Sequence, residues 1–170
     1  QAALRRDPGA DELRAAAERA AGAAGVWGEL AADYAELVEE TTRDRGAAAA
    51  VPLRLALARV QAEELNQLGD AVVEYEAVLA ADPKSAIAAR ALVELYGRQE
   101  RWGELAAALA RAAELEGDGA RAVELRLELA DVQASRLADT AAALATYEAV
   151  LTADPEQEEA RDAALKLARR

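Results

Sequence analysis

Residues 75–83, YEAVLAADP, return almost unchanged as residues 147–155, YEAVLTADP. A second echo, Trp-Gly-Glu-Leu-Ala-Ala, begins at Trp27 and again at Trp102, with nearly the same offset. The dipeptide Asp-Pro stands at Asp7-Pro8, Asp82-Pro83 and Asp154-Pro155. A period this long, split between two different half-units, is what a stacked array of helical hairpins leaves in a sequence. Each hairpin is too small to bury its own apolar face and buries it against its neighbours.

Alanine fills 49 of the 170 positions, and Leu, Glu and Arg are abundant, so the chain is made of residues that lose little freedom in a helix. There is no Phe, Met, Cys or His, and only four Tyr and two Trp. A core of Ala, Leu and Val packs densely when small side chains let helices approach closely.

Helix boundaries are read from punctuation. Asp is a good N-cap and Pro suits the first helical position, so each Asp-Pro is expected to end one helix and open the next. The spacing predicts nine helices, over residues 10–23, 27–42, 50–67, 70–81, 84–98, 101–115, 120–136, 139–153 and 156–169. Residues 43–47 and 116–119 read as the longer loops, and Pro52 as a first-turn proline. Apolar positions of the third and seventh helices match across the offset of the YEAVL echo: Leu53/Leu125, Leu55/Leu127, Leu57/Leu129, Val60/Val132 and Leu65/Leu137. Short connections make sequential helices antiparallel, and nothing reads as a strand.

These residues resemble the tetratricopeptide repeat (TPR) family, whose unit is a helix pair of about 34 residues. Residues 86–117 look like one unit, with Leu92 and Tyr96 on its first helix and Trp102, Leu105, Leu109 and Ala112 on its second. Residues 11–42 are similar, with Ala17, Ala21, Trp27, Leu30, Tyr34 and Leu37. Residues 50–83 and 122–155 match over their second helices, through Ala71, Tyr75, Val78 and Pro83, and Ala143, Tyr147, Val150 and Pro155; their first helices run about one turn longer than the family norm. The resemblance implies an all-α fold, an open right-handed α-solenoid. It divides one array over 1–170 into units at 11–42, 50–83, 84–117 and 120–155, with a C-terminal helix at 156–170.

Several functions are disfavoured by the inventory. The net charge of −12 is spread along the chain, without a basic face for phosphates, so nucleic acid is not an expected partner. No apolar run reaches membrane-spanning length, so no membrane insertion is expected. The absence of Cys leaves the compartment open, with the cytoplasm favoured. A chain that begins at Gln1 and contains no Met reads as an excised segment. Without His or Cys the usual nucleophile–base pairs cannot be built, and no phosphate-cradling Gly-rich loop is present. We therefore expect no enzyme and no cofactor or metal.

The repeating aromatic residues are expected in the core. The first helix of each pair carries a polar stripe instead. Ile87, Arg90, Glu94 and Arg98 fall within about 80° of one another on a helical wheel, opposite Leu92, Leu95 and Tyr96. The corresponding stripes are Glu12, Ala15, Arg19 and Ala23; Pro52, Ala56, Arg59 and Glu63; and Glu124, Glu128, Asp131 and Ser135. The resemblance places such stripes on a concave face. The predicted partner surface is Arg59, Ile87, Arg90, Glu94, Arg98, Glu124, Glu128 and Asp131, suited to a protein or peptide with acidic residues at one end and basic ones at the other. The basic clamp by which some repeats of this family hold acidic C-terminal tails is not matched, because Arg90 is followed by Glu94. Two other readings stand beside a scaffold: a spacer without a ligand, and a regulatory module attached to an enzyme. Ala16, Ala20 and Ala21 are expected to be uncovered on the first helix, giving self-association through an open end.

Overall fold

The computed structural model describes residues 11–169. Among them are nine α-helices and no strand: α1 (Asp11–Ala24), α2 (Trp27–Arg45), α3 (Ala47–Arg59), α4 (Leu68–Ala81), α5 (Ala86–Arg98), α6 (Trp102–Glu116), α7 (Ala120–Ser135), α8 (Thr140–Ala153) and α9 (Glu158–Ala168). A π-helical turn, Val60–Glu64, continues α3. Asp7-Pro8 lies outside the described residues. The chain divides into two compact units, Gln1–Ala88 and Ala89–Arg170, with the boundary inside α5. In the first, α1 packs on α2, α2 on α3 and α3 on α4; in the second, α6 packs on α7, α7 on α8 and α8 on α9.

The sequence echo reappears in the core. α3 with its π-helical turn buries Ala50, Leu53, Leu57, Ala58 and Val60, and α7 buries Ala122, Leu125, Leu129, Ala130 and Val132 at the equivalent places. Helices that bury so many positions are covered on more than one side, α3 by α2 and α4, α7 by α6 and α8. α4 contributes Ala71, Tyr75 and Val78, and α8 contributes their counterparts Ala143, Tyr147 and Val150. The large residues are few: Tyr34, Leu53, Leu57, Val60 and Val78 in one unit, and Leu109, Leu125 and Val150 in the other, are sealed from solvent. Ala56, Ala58, Ala112, Ala113 and Ala130 lie buried beside them, where a small side chain keeps the helix axes close.

Helix ends come in two kinds. α1 closes with Gly25 in the left-handed region (φ 69°) and the Val26 N–H donating to the Ala21 carbonyl at 3.0 Å. α5 does the same with Glu100 (φ 55°) and Arg101 N–H to Tyr96 carbonyl at 3.0 Å. These are Schellman closures. The ends of α3 and α7 are one residue wider. Leu65 and Leu137 donate to Val60 and Val132, both at 3.1 Å, while Gln67 and Asp139 reach back to Gln61 and Gln133 at 2.7 and 2.8 Å. Asn66 (φ 52°) and Ala138 (φ 55°) hold the left-handed position.

Three boundaries differ from the sequence expectation. Asp82 and Asp154 are not N-caps: each carboxylate accepts an N–H two residues on, from Lys84 and Glu156, both at 3.1 Å. An Asx turn thus spends the side chain before the helix begins. α5 starts after Ser85, whose Oγ accepts the Ala88 N–H at 3.4 Å, and α9 starts at Glu158. The expected loop at 43–47 shrinks to Gly46, because only that residue must adopt a positive φ (85°) between α2 and α3. α3 accordingly opens at Ala47, which puts Pro52 in its interior rather than its first turn. Finally, Ala21 is buried, packed in the cluster around Tyr34, while Ala16 and Ala20 are exposed.

Tyr75 is 7% exposed, so Tyr75→Ala should cost about 3–5 kcal/mol by removing a buried ring; thermal melts of the variant and parent that overlay would contradict this burial. Ala138→Gly should act in the opposite direction. It relieves about 1–2 kcal/mol of left-handed strain and returns ~0.5–1 kcal/mol of backbone entropy, leaving a gain of about 0.5–1 kcal/mol. Urea unfolding with an unchanged slope and a raised midpoint is the expected readout.

Candidate functional site

α1 and α3 present rows with the same spacing. Asp11, Arg14, Ala15 and Glu18 stand at i, i+3, i+4 and i+7 on α1, and Pro52, Leu55, Ala56 and Arg59 repeat that pattern on α3. One stripe of a helix surface is what such spacing defines. The two rows line a cleft of about 400 Å³ whose remaining walls are Tyr75 and Ile87. Its size falls in the range of ligand-holding clefts. Ile87 is 60% exposed, an apolar side chain held out at the start of α5.

Charges in the cleft are tied to one another. The Arg59 guanidinium donates to the Glu18 carboxylate and lies 3.5 Å from Glu63, one turn on. Glu18 also accepts the Tyr34 hydroxyl, at 3.5 Å. Arg14 pairs with Asp11, whose own side chain is almost wholly exposed. Behind the cleft, Arg54 and Glu74 join α3 to α4 through a largely covered ion pair at 2.5 Å. Burial, reinforced by the negative charge of Glu18, pushes the Tyr34 phenol up to about 12.

The second unit repeats the tyrosine–carboxylate contact. The Tyr147 hydroxyl donates to Asp131 Oδ1 at 2.7 Å, across the same sequence separation as Tyr34 and Glu18. Burial and that hydrogen bond raise the Tyr147 phenol well above the usual tyrosine range. The residue at that same separation before Tyr75 is Arg59. The polar partner of a second-helix tyrosine thus sits at one recurring place on the first helix.

The structure brings Arg59 and Ile87 of the predicted partner surface into one cleft. Arg59 is engaged there by Glu18 and Glu63. Arg90, Glu94 and Arg98 are exposed on α5, with Arg90 Nε 3.9 Å from Glu116. On α7, Glu128 is exposed, Glu124 pairs with Arg121 at 2.7 Å, and Asp131 serves Tyr147. Sequence reading missed Asp11, Arg14, Glu18 and Leu55. On α1 it favoured Glu12, Ala15, Arg19 and Ala23, a stripe rotated from the one that lines the cleft. The spacing that the α1 and α3 rows share carried the signal.

Trp27 and Trp102 are half-buried rather than sealed. The Arg136 guanidinium lies 4.6 Å above the Trp102 ring, and Arg101 lies 4.7 Å above Tyr96. Among the described residues no group of three or more carboxylates is placed to hold a metal ion, and no helix is long and apolar enough to cross a membrane. No protein-family model matches the chain, and no curated protein matches it.

The sign of the Tyr34 shift gives a pH test. Its pKa is raised on folding, so its contribution to stability is complete below pH 10 and is lost as pH climbs to about 12. In an absorbance titration of tyrosinate, Tyr34→Phe should remove one late-titrating ring. Between those pH values the parent's melting temperature should fall more steeply than that of the variant. Glu18→Gln should move the Tyr34 step toward the ordinary value without reaching it, because burial remains.

Proposed function

We propose that the chain is a TPR-like array, an open right-handed arc of helical hairpins. It works as a scaffold that holds a peptide or protein on the inner face formed by the first helix of each pair, with no chemistry of its own. The observation that carries this reading is the cleft between α1 and α3, where Ile87 stands exposed beside Leu55, Pro52 and the edge of Tyr75. An apolar floor beside fixed charges of both signs suits an anchoring side chain in a peptide that also carries polar groups. Arg59 held by Glu18 and Glu63 is preorganised, so a ligand carboxylate can share its guanidinium without ordering a free side chain.

The spacer reading has its own support. Arg59, Glu124 and Asp131 are all engaged within the chain, so part of the polar stripe closes the hairpins instead of presenting charge.

Peptides selected from a random display library on the immobilised chain decide between the two. On the scaffold reading, selection converges on one sequence pattern, and Ile87→Glu weakens the selected peptides about tenfold or more while circular dichroism stays unchanged. Selection without convergence, or peptides indifferent to Ile87→Glu, would favour the spacer.

A further inference from the structure

The two units repeat one another closely enough for their differences to be read position by position. In the first, Arg54 on α3 and Glu74 on α4 form a largely covered ion pair at 2.5 Å. The YEAVL echo carries Arg54 onto Arg126 of α7 and Glu74 onto Thr146 of α8. The arginine is kept and its acid is not. Thr146 brings no charge, and its hydroxyl lies 2.8 Å from Gln133 Oε1 and 3.0 Å from the Ala142 carbonyl oxygen. Two valines of the first unit are also replaced. Ala145 stands for Val73 through the same echo, and Ala113 for Val38 through the Trp-Gly-Glu-Leu echo.

All three exchanged positions line one cleft of about 290 Å³. Its walls include Ala113 and Glu114 of α6, Arg126 and Leu129 of α7, and Ala145 and Thr146 of α8. The Arg126 side chain is 22% exposed. It donates to the Gly117 carbonyl at 3.2 Å and lies 3.6 Å from Asp118, a carboxylate almost wholly in water. An exposed pair at that distance adds little. A guanidinium has five N–H donors in a planar fork, and these contacts use a minority of them. Glu114 does not exclude a second carboxylate. Glu39 holds the equivalent place in the first unit, where Glu74 pairs with Arg54 all the same.

We propose that this cleft takes a glutamate side chain of a protein partner, whose carboxylate binds Arg126 as Glu74 binds Arg54. The occupant is read from the molecule itself, because the first unit already holds a carboxylate at the equivalent place, on the equivalent arginine. Ala113 and Ala145 are smaller than Val38 and Val73, so they admit from outside the group that the first unit supplies from within. A glutamate between small residues suits such alanine walls. The chain's net charge of −12 works against an acidic partner at long range, so recognition here depends on the contact with Arg126. The cleft belongs wholly to the second unit and does not rest on the reading of the α1–α3 cleft.

The test follows the Arg126 Nε–H resonance of the isotope-labelled full chain, assigned with Arg126→Lys, during titration with acetyl-Ala-Glu-Ala-amide. The resonance should move saturably, and the glutamine analogue should bind about tenfold more weakly or worse, the ratio expected for losing a charge-assisted hydrogen bond. Thr146→Glu restores the acid of the first unit. It should move the Arg126 resonance without any ligand and weaken the glutamate peptide by a similar factor. Ala145→Val copies Val73, narrows the cleft without a change of charge, and should weaken the peptide as well. Thr152→Glu is the control, an exposed site on α8 whose hydroxyl also bonds the carbonyl one turn back; it should leave the titration as in the parent. The proposal is overturned if the glutamine peptide binds as well as the glutamate peptide, or if Thr146→Glu leaves resonance and titration unchanged. It is equally overturned if Thr152→Glu weakens the peptide as much, or if inorganic phosphate moves the resonance and the glutamate peptide does not. Peptides that respond to Ile87 report on the α1–α3 cleft, whereas this titration reports on Arg126, so the two readings fail separately.

Discussion

A helix built mainly of alanine and leucine removes enough apolar surface from water only by lying close against more than one neighbour. α3 and α7 show that constraint most plainly, each burying five positions at matching places between the helices before and after it. Alanine at the contacts lets the backbones approach, and one buried tyrosine per hairpin fills what alanine leaves. Tyr34 and Tyr147 fill that role as fully as any residue in their units, being almost wholly covered. Because there are few such anchors, each carries more of its unit's packing than a residue in a core rich in Phe and Met would.

A buried phenol needs a hydrogen-bond partner, and the fold supplies it from the first helix of the pair. Glu18 and Asp131 accept the hydroxyls of Tyr34 and Tyr147 from the same relative position. This draws surface carboxylates inward and ties α2 to α1 and α8 to α7. Arg59 takes the corresponding position in the α3–α4 pair and turns to Glu18 instead, which links α1 to α3. The polar stripe is therefore not a free row of charges. Its groups are partly spent on closing the hairpins, while Ile87, Arg90, Glu94, Arg98 and Glu128 stay exposed.

Much of the architecture was legible because it depends on local spacing. The YEAVL and Trp-Gly-Glu-Leu echoes and the glycines marked the helices to within a few residues, since a turn signal acts on the backbone at the place where it stands. Errors at the ends arose where one side chain had two possible uses. Asp82 and Asp154 could have capped a helix but instead close an Asx turn, and Ser85 takes the cap. The row of α1 that lines the α1–α3 cleft was not legible for another reason. Ala15, Ala16, Ala17, Ala20 and Ala21 are alike in sequence, so nothing local says which of them faces a neighbour.

By itself, then, the sequence determined that this is an all-helical chain of repeated hairpins, because periodicity and capping act over short stretches of backbone. The tertiary structure alone decided which charges are used up. Arg59, Glu124 and Asp131 look equally available on a helical wheel, yet Glu18, Arg121 and Tyr147 engage them, two of the three partners coming from other helices. It also decided that Arg136 lies over the Trp102 ring, while among the described residues no cation lies over Trp27. Whether a side chain meets a partner depends on the position of a different helix, and no spacing along one helix contains that distance.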